Sequence, residues 1–395
     1  MSGGGESLLS VAEASEMVLA LAHPLSVEDV SLTEAAGRYL ARPLRAERDQ
    51  PPFDASSMDG YAIGGTPSVG SRFRVIGEAS AGHALGRRIG PGEASRIFTG
   101  APLPQGANCV IVQEDVRRDG DDITIMAIRR NPNIRLRGQD YIAGATIEPR
   151  RLSPADIGLL AAMNHAAVPV FRRPVVAIIP TGDELVWPGE IPRADQIIAS
   201  NGFVLKPLVE SAGAVARLLP IARDNEPALT RIFNEAEGAD IIVTIGGASV
   251  GDHDLVGRIA ARLGFQQSFW KIALRPGKPL MAGRLGRSAM IGLPGNPGAS
   301  IVCGHLFLLP LIRVMQGDPS PLPRPRQARL SHDLPENGWR AHYMSARITD
   351  GDLIDPFATQ DSGFMATLAA SDALLIRPPN DPPRKAGEIC AYLPI

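Results

Sequence analysis

Three glycine-rich segments in the second half of the chain have the composition of anion-binding loops. They are Pro180-Thr181-Gly182-Asp183-Glu184, Gly246-Gly247-Ala248-Ser249-Val250-Gly251-Asp252-His253-Asp254 and Pro294-Gly295-Asn296-Pro297-Gly298. A glycine lets backbone amides close on an oxyanion, and a helix that starts at the loop adds the positive end of its dipole. One such loop is a weak signal, because turns need glycine anyway. Three at one sheet edge point to an anion or nucleotide pocket. Acidic residues gather in the same places: Asp183, Glu184, Asp224, Asp252 and Asp254. Taken singly each reads as a helix cap, and Asp224 ahead of Asn225-Glu226-Pro227 is a good cap candidate. Taken together, carboxylates beside phosphate-type loops call for a bridging hard cation, and Mg²⁺ held by one or two carboxylates plus substrate oxygens fits. His253 reads as structural, and no His or Cys cluster suggests zinc.

The opposite charge lies in Trp270-Lys271-Ile272-Ala273-Leu274-Arg275-Pro276-Gly277-Lys278-Pro279. Only four lysines (Lys206, Lys271, Lys278 and Lys385) occur among forty basic residues, and two of them fall here. The Arg excess reads as the signature of a GC-rich genome; the lysine cluster needs another reason. If Lys271–Ala273 is strand, Lys271 and Ala273 share a face and the Pro-Gly turn aims Arg275 and Lys278 at a common point. Cations fixed on a turn can hold a small oxyanion or a phosphate. The competing reading is a solvated hairpin tip.

These segments need a scaffold. Val175–Ile179, Val215–Ile221, Asp240–Ile245 and Ala289–Leu293 are short apolar runs separated by helical patterns that start near Asn201, Asp224, Asp254 and Pro297. That alternation predicts a parallel sheet in a doubly wound α/β layer, whose ligands bind at the carboxyl ends of the strands. Upstream, the Ser10/Glu13 pair predicts a capped helix stopped by Pro24, and Ser31/Glu34 a second short helix ending near Arg42-Pro43. Between Arg45 and about Ala143, β-rich pieces (Phe73–Ile76, Cys109–Gln113, Ile123–Ile128) alternate with turns and predict a mostly β domain. A helix capped by Ser153 follows, from Pro154 to Asn164. The proline-rich stretch Pro319–Pro325 sets off a last small β domain.

Composition narrows the function classes. A chain of 395 residues with 44% apolar and 21% charged residues is ordinary globular material for two to three domains. The net charge of −2 gives no bulk attraction to nucleic acid or an anionic membrane. Ile301–Ile312, the longest apolar run, is broken by Gly304, His305 and Pro310 and is short of the roughly 20 residues of a membrane span. Glu6, Glu13 and Glu16 precede any Lys or Arg, so no secretory signal is expected. Cys109, Cys303 and Cys390 are few and far apart, which suits a reducing cytoplasm.

Six motifs, in order, resemble those of the molybdopterin molybdenumtransferases, the MoeA-type family related to one domain of an animal receptor-clustering protein. They are Ser57-Met58-Asp59-Gly60-Tyr61-Ala62, Thr99-Gly100-Ala101-Pro102, Thr181-Gly182-Asp183-Glu184-Leu185, Gly246-Gly247-Ala248-Ser249-Val250-Gly251, Pro276-Gly277-Lys278-Pro279 and Leu293-Pro294-Gly295-Asn296-Pro297. The resemblance runs from about Ser10 to the C-terminus. It implies a multidomain α/β and β protein: an N-terminal helix (6–26) joining the α/β molybdopterin-binding-like domain (174–318), an elongated connector (27–45 and 144–173), an inserted mostly β domain (46–143) and a C-terminal β barrel (320–395). The implied reaction inserts molybdate into adenylylated molybdopterin with Mg²⁺-dependent release of AMP. By match to family positions, Thr99, Gly246, Gly247, Ser249, Arg275, Pro276, Lys278, Pro294, Gly295, Asn296 and Ser362 are expected around the substrate and molybdate. Asp59, Asp140, Glu184, Asp224, Asp254 and Lys271 are its other functional polar positions, with Asp254, Glu184 and Asp224 the candidate metal ligands. The resemblance also implies a cytoplasmic homodimer supplied by a molybdopterin adenylyltransferase.

The chain departs from the family pattern at Arg275, where Lys is usual, at Asn108 for Asp, at Ala248 for Val, and at Ser345, aligned with an Arg, although Arg340 and Arg347 lie close. A planar fork replaces a point charge at Arg275. Other readings are a diverged paralogue that binds a pterin or nucleotide without inserting metal, a scaffold protein, or a different enzyme on the same α/β domain. The Ser57–Ala62 motif and the C-terminal domain argue against the last. Asp254→Ala is expected to abolish turnover with the fold intact, because a carboxylate after a glycine loop holds metal rather than core. Full activity of that variant at low Mg²⁺ would remove Asp254 from the site.

Overall fold

A computed structural model of the chain describes residues 8–246, 255–349 and 352–395. Packing divides it into two compact units: the chain up to Glu28 with Val170–Ile395, and Asp29–Pro169. The first unit is built on a six-stranded sheet in the order Val215–Leu218, Val175–Pro180, Ile241–Ile245, Ser288–Leu293, Met281–Leu285, Phe265–Trp270. The first four strands are parallel, as their apolar runs, free of charge but for Arg217, predict. Alternate residues serve two cores. Ile178, Val243 and Ile291 face the helices Val11–Leu19 and Asn201–Ser211, while Ala177, Ile179, Ile242 and Met290 face Glu226–Glu235 and Leu255–Arg262. The first helix carries the capping box, with Glu13 N donating to Ser10 Oγ (3.2 Å) and Ser10 N to Glu13 Oε2 (2.8 Å), and it buries Ala14 and Val18 in the first of these cores.

The sheet edge and the core helix differ from the sequence reading. The sheet is mixed: Met281–Leu285 and Phe265–Trp270 run antiparallel at one edge. A hairpin between Leu285 and Ser288 needs no crossover helix, so the alternation of runs and helices does not reveal it. The apolar run at residues 301–312 is not broken either. Pro297–Cys303, a π-helical turn at Gly304–Leu308 and Leu309–Met315 make one continuous helix, 19 residues long and apolar enough to cross a membrane by length and composition. Its apolar window is 78% buried within the protein, which makes it a core helix. The wider turn takes up the proline, because Pro310 falls where the following α-helical segment starts and its missing N–H goes unused. Gly304 lets Leu205 and Leu208 close in, and burial, with the Arg313 charge, pushes the His305 imidazole down to about 4, so it sits neutral.

After the proline-rich stretch, five strands close into a barrel in the order Ala341–Thr349, Leu353–Pro356, Arg326–Leu330, Ile389–Pro394, Ala373–Arg377 and back to Ala341–Thr349. A sixth piece, Leu274–Arg275, comes from the α/β part of the chain and pairs parallel to Ala341–Thr349, with Leu274 opposite Ala341 and Arg275 opposite His342.

The second unit holds a six-stranded sheet in the order Cys109–Val112, Gly60–Ile63, Glu93–Ile97, Arg72–Ala79, Asp122–Ile125, Val116–Asp119. Ser153 and Asp156 cap Pro154–Ala162 reciprocally. The helix expected from Ser31 is a single turn, Leu32–Ala35; Ser31 bonds the Glu34 carboxylate at 3.2 Å but caps no backbone N–H, and Gly37 turns the chain at φ +77°. Gly60 is demanded by space, since a Cβ there would lie 2.0 Å from the Ile111 carbonyl oxygen. Gly60→Ala should destabilise this unit by about 3 kcal/mol or more in chemical denaturation. Gly158→Ala, in the open middle of the helix Pro154–Ala162, should stabilise it by about 0.5–1 kcal/mol.

Candidate functional site

Parallel strands deliver all their carboxyl ends to one edge, and the glycine loops follow from that. Gly246, at φ +88°, leaves Ile241–Ile245 with its N–H bonded to the Leu293 carbonyl (3.0 Å), and a Cβ on it would meet the Thr181 carbonyl at 3.0 Å. Thr181 N and Oγ1 both donate to the Ile245 carbonyl, at 3.0 and 3.1 Å. The ends of three strands are therefore tied together. They open on a cavity of about 440 Å³ lined by Thr181, Glu184, Asn201, Gly246, Gly295, Asn296 and Gly363. Gly246, Gly295, Asn296 and Glu184 thus meet, as the sequence reading expected. Pro294 stands between Leu293 and Gly295 on the same loop. Gly247, Ser249 and Asp254 lie outside the described residues.

Glu184 belongs to an acidic group. Asp224 N donates to Asp183 Oδ1 (3.1 Å), and Arg223 Nη1 donates to the carbonyls of Gly182, Asp183 and Leu185 (3.3, 3.0 and 3.0 Å). Partial burial, followed by the charges of Asp183 and Glu184, pushes the Asp224 carboxyl up from its ordinary value. Asp224 is not a helix cap; Asn225 takes that role, its Oδ1 accepting from Ala228 N at 2.9 Å. The carboxylate is left to the cluster because the cap sits one residue later, where the chain turns helical. Crowded hard oxygen donors are the right chemistry for Mg²⁺. Among the described residues, however, no three His, Cys, Asp or Glu side chains stand close enough to share an ion.

The cationic segment differs from its expected form. Its strand ends at Trp270, and Lys271 adopts φ +70°, with Nζ 4.2 Å from the Trp270 ring centroid. Lys271 and Ala273 therefore do not alternate on a strand. The short strand is Leu274–Arg275, followed by a cis Arg275–Pro276 peptide. Gly277, at φ +120°, lies so close to the core helix that a Cβ would come 2.6 Å from Cys303 Sγ. Arg275 and Lys278 are exposed, and among the described residues no ion pair or hydrogen bond occupies their side chains. Beside them, Asn296 Nδ2 donates to Ser362 Oγ (3.0 Å) and Gly298 N to the Ser362 carbonyl (2.7 Å). Pro276, Ser345 and Ser362 line one small recess, where Gln360 binds the Ser345 backbone through N→Oε1 (2.9 Å) and Nε2→O (3.0 Å).

Asp59, Thr99 and Asp140 lie in the other unit. Thr99 N and Oγ1 both donate to Asp59 Oδ1 at 2.8 Å, and with the nearby Arg96 charge they hold the Asp59 carboxyl below its usual range. Asp140 is exposed, its N–H bonded to the Gln50 carbonyl at 2.9 Å.

Three residues at the site escaped the sequence reading. Asn201 Nδ2 bonds the Gly295 carbonyl at 2.6 Å; its helix was expected, its reach across the cavity was not. Arg223 ties down the loop that carries Glu184, with no local signal beyond its place next to Asp224. His342 is buried opposite Arg275, and burial, then the charges of Arg275, Arg377 and Arg340, push it down to about 4.

Residues 9–164 match the MoeA N-terminal region (domain I and II), 177–314 a probable molybdopterin binding domain, and 327–395 the MoeA C-terminal region (domain IV). The chain is 36% identical to a molybdopterin molybdenumtransferase of Nostoc over 89% of its own length and 85% of the relative's. With the Haemophilus influenzae protein of that name it shares 36% over 77% of the chain and 76% of the relative. A solved molybdopterin biosynthesis MoeA protein of Pyrococcus horikoshii superposes with a TM-score of 0.83 at 29% identity, covering 98% of this chain and 99% of that one.

The crowding of Asp224 has a measurable sign. A carboxyl raised in the folded state binds protons more tightly there, so ionised Asp224 costs stability at pH values above its raised titration, and that cost vanishes as pH falls below the ordinary Asp range. Asp224→Asn should therefore leave the thermal midpoint unchanged or raised at pH 7, with no gain at about pH 3. A lowered midpoint at pH 7 would assign Asp224 a supporting role.

Proposed function

Because the chain belongs to the molybdopterin molybdenumtransferase family, we propose that it inserts molybdenum into adenylylated molybdopterin and releases AMP. The observation that carries this reading is the joining of two kinds of binding group at one edge. Glycine loops suited to phosphates and an unpaired Arg275–Lys278 turn suited to an oxyanion adjoin one another, linked through the Asn296–Ser362 bond.

In this reading Gly246, Gly247, Gly295 and Asn296, with Pro294 shaping their loop, hold the phosphates. Arg275, Lys278, Ser249 and Ser362 hold molybdate against the turn at Pro276. Arg275 contributes a planar fork of donors and Lys278 a compact charge, a mixed pair able to hydrogen-bond several oxygens of a tetrahedral anion. Lys271, stacked on Trp270, adds positive potential beside the turn. Glu184, Asp224 and Asp254 would hold Mg²⁺, which when bound offsets the charge of the leaving phosphate. Asp59, Thr99 and Asp140 are assigned as further polar groups for the substrate. The finer division into connector (27–45, 144–173), inserted domain (46–143), α/β domain (6–26 and 174–318) and barrel (320–395) belongs to the same reading. So do a cytoplasmic setting, a homodimer and a molybdopterin adenylyltransferase as the substrate's source.

A second reading, a paralogue that binds the pterin without inserting metal, is favoured by Arg275 in place of the family's Lys. Arg275→Lys separates the two. A modest change in molybdate dependence supports the enzyme, whereas activation of an otherwise inert protein supports the paralogue.

Lys278→Met should weaken the molybdate response about ten- to a hundredfold, since a small anion has few contacts and each charge-assisted bond counts for much. Binding of the adenylylated pterin should fall much less, because its contacts are spread over pterin, phosphates and adenine. Sedimentation at micromolar concentration should give a dimer mass; a monomer would count against the assembly proposed.

A further inference from the structure

The face of the second unit that carries Asp59 also carries a cation to which the reaction as outlined gives no role. Arg96 lies in Glu93–Ile97, opposite Tyr61 on the neighbouring strand. Its Nη1 donates to the Gly60 carbonyl (3.3 Å) and its Nη2 to Gln113 Oε1 (2.6 Å). Its guanidinium carbon stands 5.1 Å from the Tyr61 ring centroid and 4.7 Å from that of Phe98. Two acceptors and two rings fix such a plane in position and rotation, which a lysine ammonium could not match.

What this plane touches is the frame around Asp59. Gly60 is the residue after Asp59. Phe98 is the residue before Thr99, which gives Asp59 Oδ1 both of its hydrogen bonds. Gln113 donates its own N–H to the Asp59 carbonyl at 3.1 Å. Arg96 thus grips the three neighbours that set the backbone and the carboxylate of Asp59. One carboxylate oxygen is saturated by Thr99, and among the described residues nothing bonds Oδ2.

We propose that Arg96 is a positioning residue, holding Asp59 and Thr99 so that Asp59 presents its open Oδ2 in one fixed place to the substrate. The inference rests on the functional assignment of Asp59. Among the described residues Arg96 is the charged group that acts on that carboxylate, so its loss also changes the titration of Asp59 in a known direction.

The test uses the full-length protein, with molybdate-dependent AMP release from adenylylated molybdopterin as the rate and ¹³C-carboxyl NMR of Asp59 as the second readout. Arg96→Gln should lower kcat about 10- to 100-fold with KM nearly unchanged, as expected when a reacting group is misplaced rather than removed. The Asp59 titration should move up. Arg96→Lys should bring the titration back towards wild type but not the rate, since it restores charge and not the planar grip; it also replaces Arg96→Gln in the rate comparisons if that variant fails to fold. The double variant Asp59→Asn/Arg96→Gln should be no slower than Asp59→Asn alone. Normal kcat in folded Arg96→Gln, or losses that multiply in the double variant, would overturn the proposal. Normal turnover by Asp59→Asn would instead remove the role of Asp59, and the proposal, which needs that role, would fall with it.

Discussion

The strand Leu274–Arg275 is delivered by the α/β sheet but hydrogen-bonds into the barrel, and the placement of the site depends on that exchange. Ala341 N bonds the Ala273 carbonyl at 3.0 Å, and Leu274 is fully buried. The turn that follows is pressed on its other side against the core helix, where Gly277 leaves just enough room for Cys303. Burial pushes that thiol up, so it serves as packing rather than as a nucleophile. Ser362 completes the seam by bonding both Asn296 and Gly298 at the start of the same helix. A turn fixed from two directions can keep Arg275 and Lys278 unpaired at little entropic cost, which a free hairpin tip could not do.

The electrostatics follow from where charge is left unpaired. Elsewhere in the first unit several basic residues are matched by acidic ones: Arg172 holds Asp240 with two bonds of 2.8 and 2.6 Å, and buried Arg377 pairs with Asp381. At the site the balance is withheld. Acidic groups crowd one side until Asp224 is pushed up, and cations stand unpaired on the other. His342, directly opposite Arg275, is kept neutral, so it adds no further repulsion to a row that already contains Arg275 and Arg377. Strong local imbalance that costs stability is characteristic of sites kept for a ligand.

Much of this was legible in the residues. Charge-free runs such as Ile241–Ile245 mark buried parallel strands, and glycines that follow them mark the edge where Gly246 and Gly295 meet. The capping box at Ser10 and the cap at Ser153 appear as read, whereas the box read at Ser31 and Glu34 caps no backbone N–H. What escaped was set by distant partners. Phe265–Trp270 reads as nothing in particular until Met281–Leu285 pairs with it. The helix at Pro297–Met315 runs through Gly304 and Pro310 because a π turn absorbs them, a local adjustment that residue propensities do not encode. Lys271 leaves the strand because the chain must turn from one sheet to the other, a tertiary demand. Asn201 and Arg223 act across loops far apart in sequence, and spacing carries no trace of such contacts.

The most direct test of the account is to give the purified protein adenylylated molybdopterin and Mg²⁺ with and without molybdate, and to measure AMP released and molybdenum retained on the pterin. The account predicts that both appear together, in equal amounts, and only when molybdate is present. Tight binding of the adenylylated pterin with no molybdate-dependent AMP release would contradict it and leave a protein that holds the ligand without finishing it.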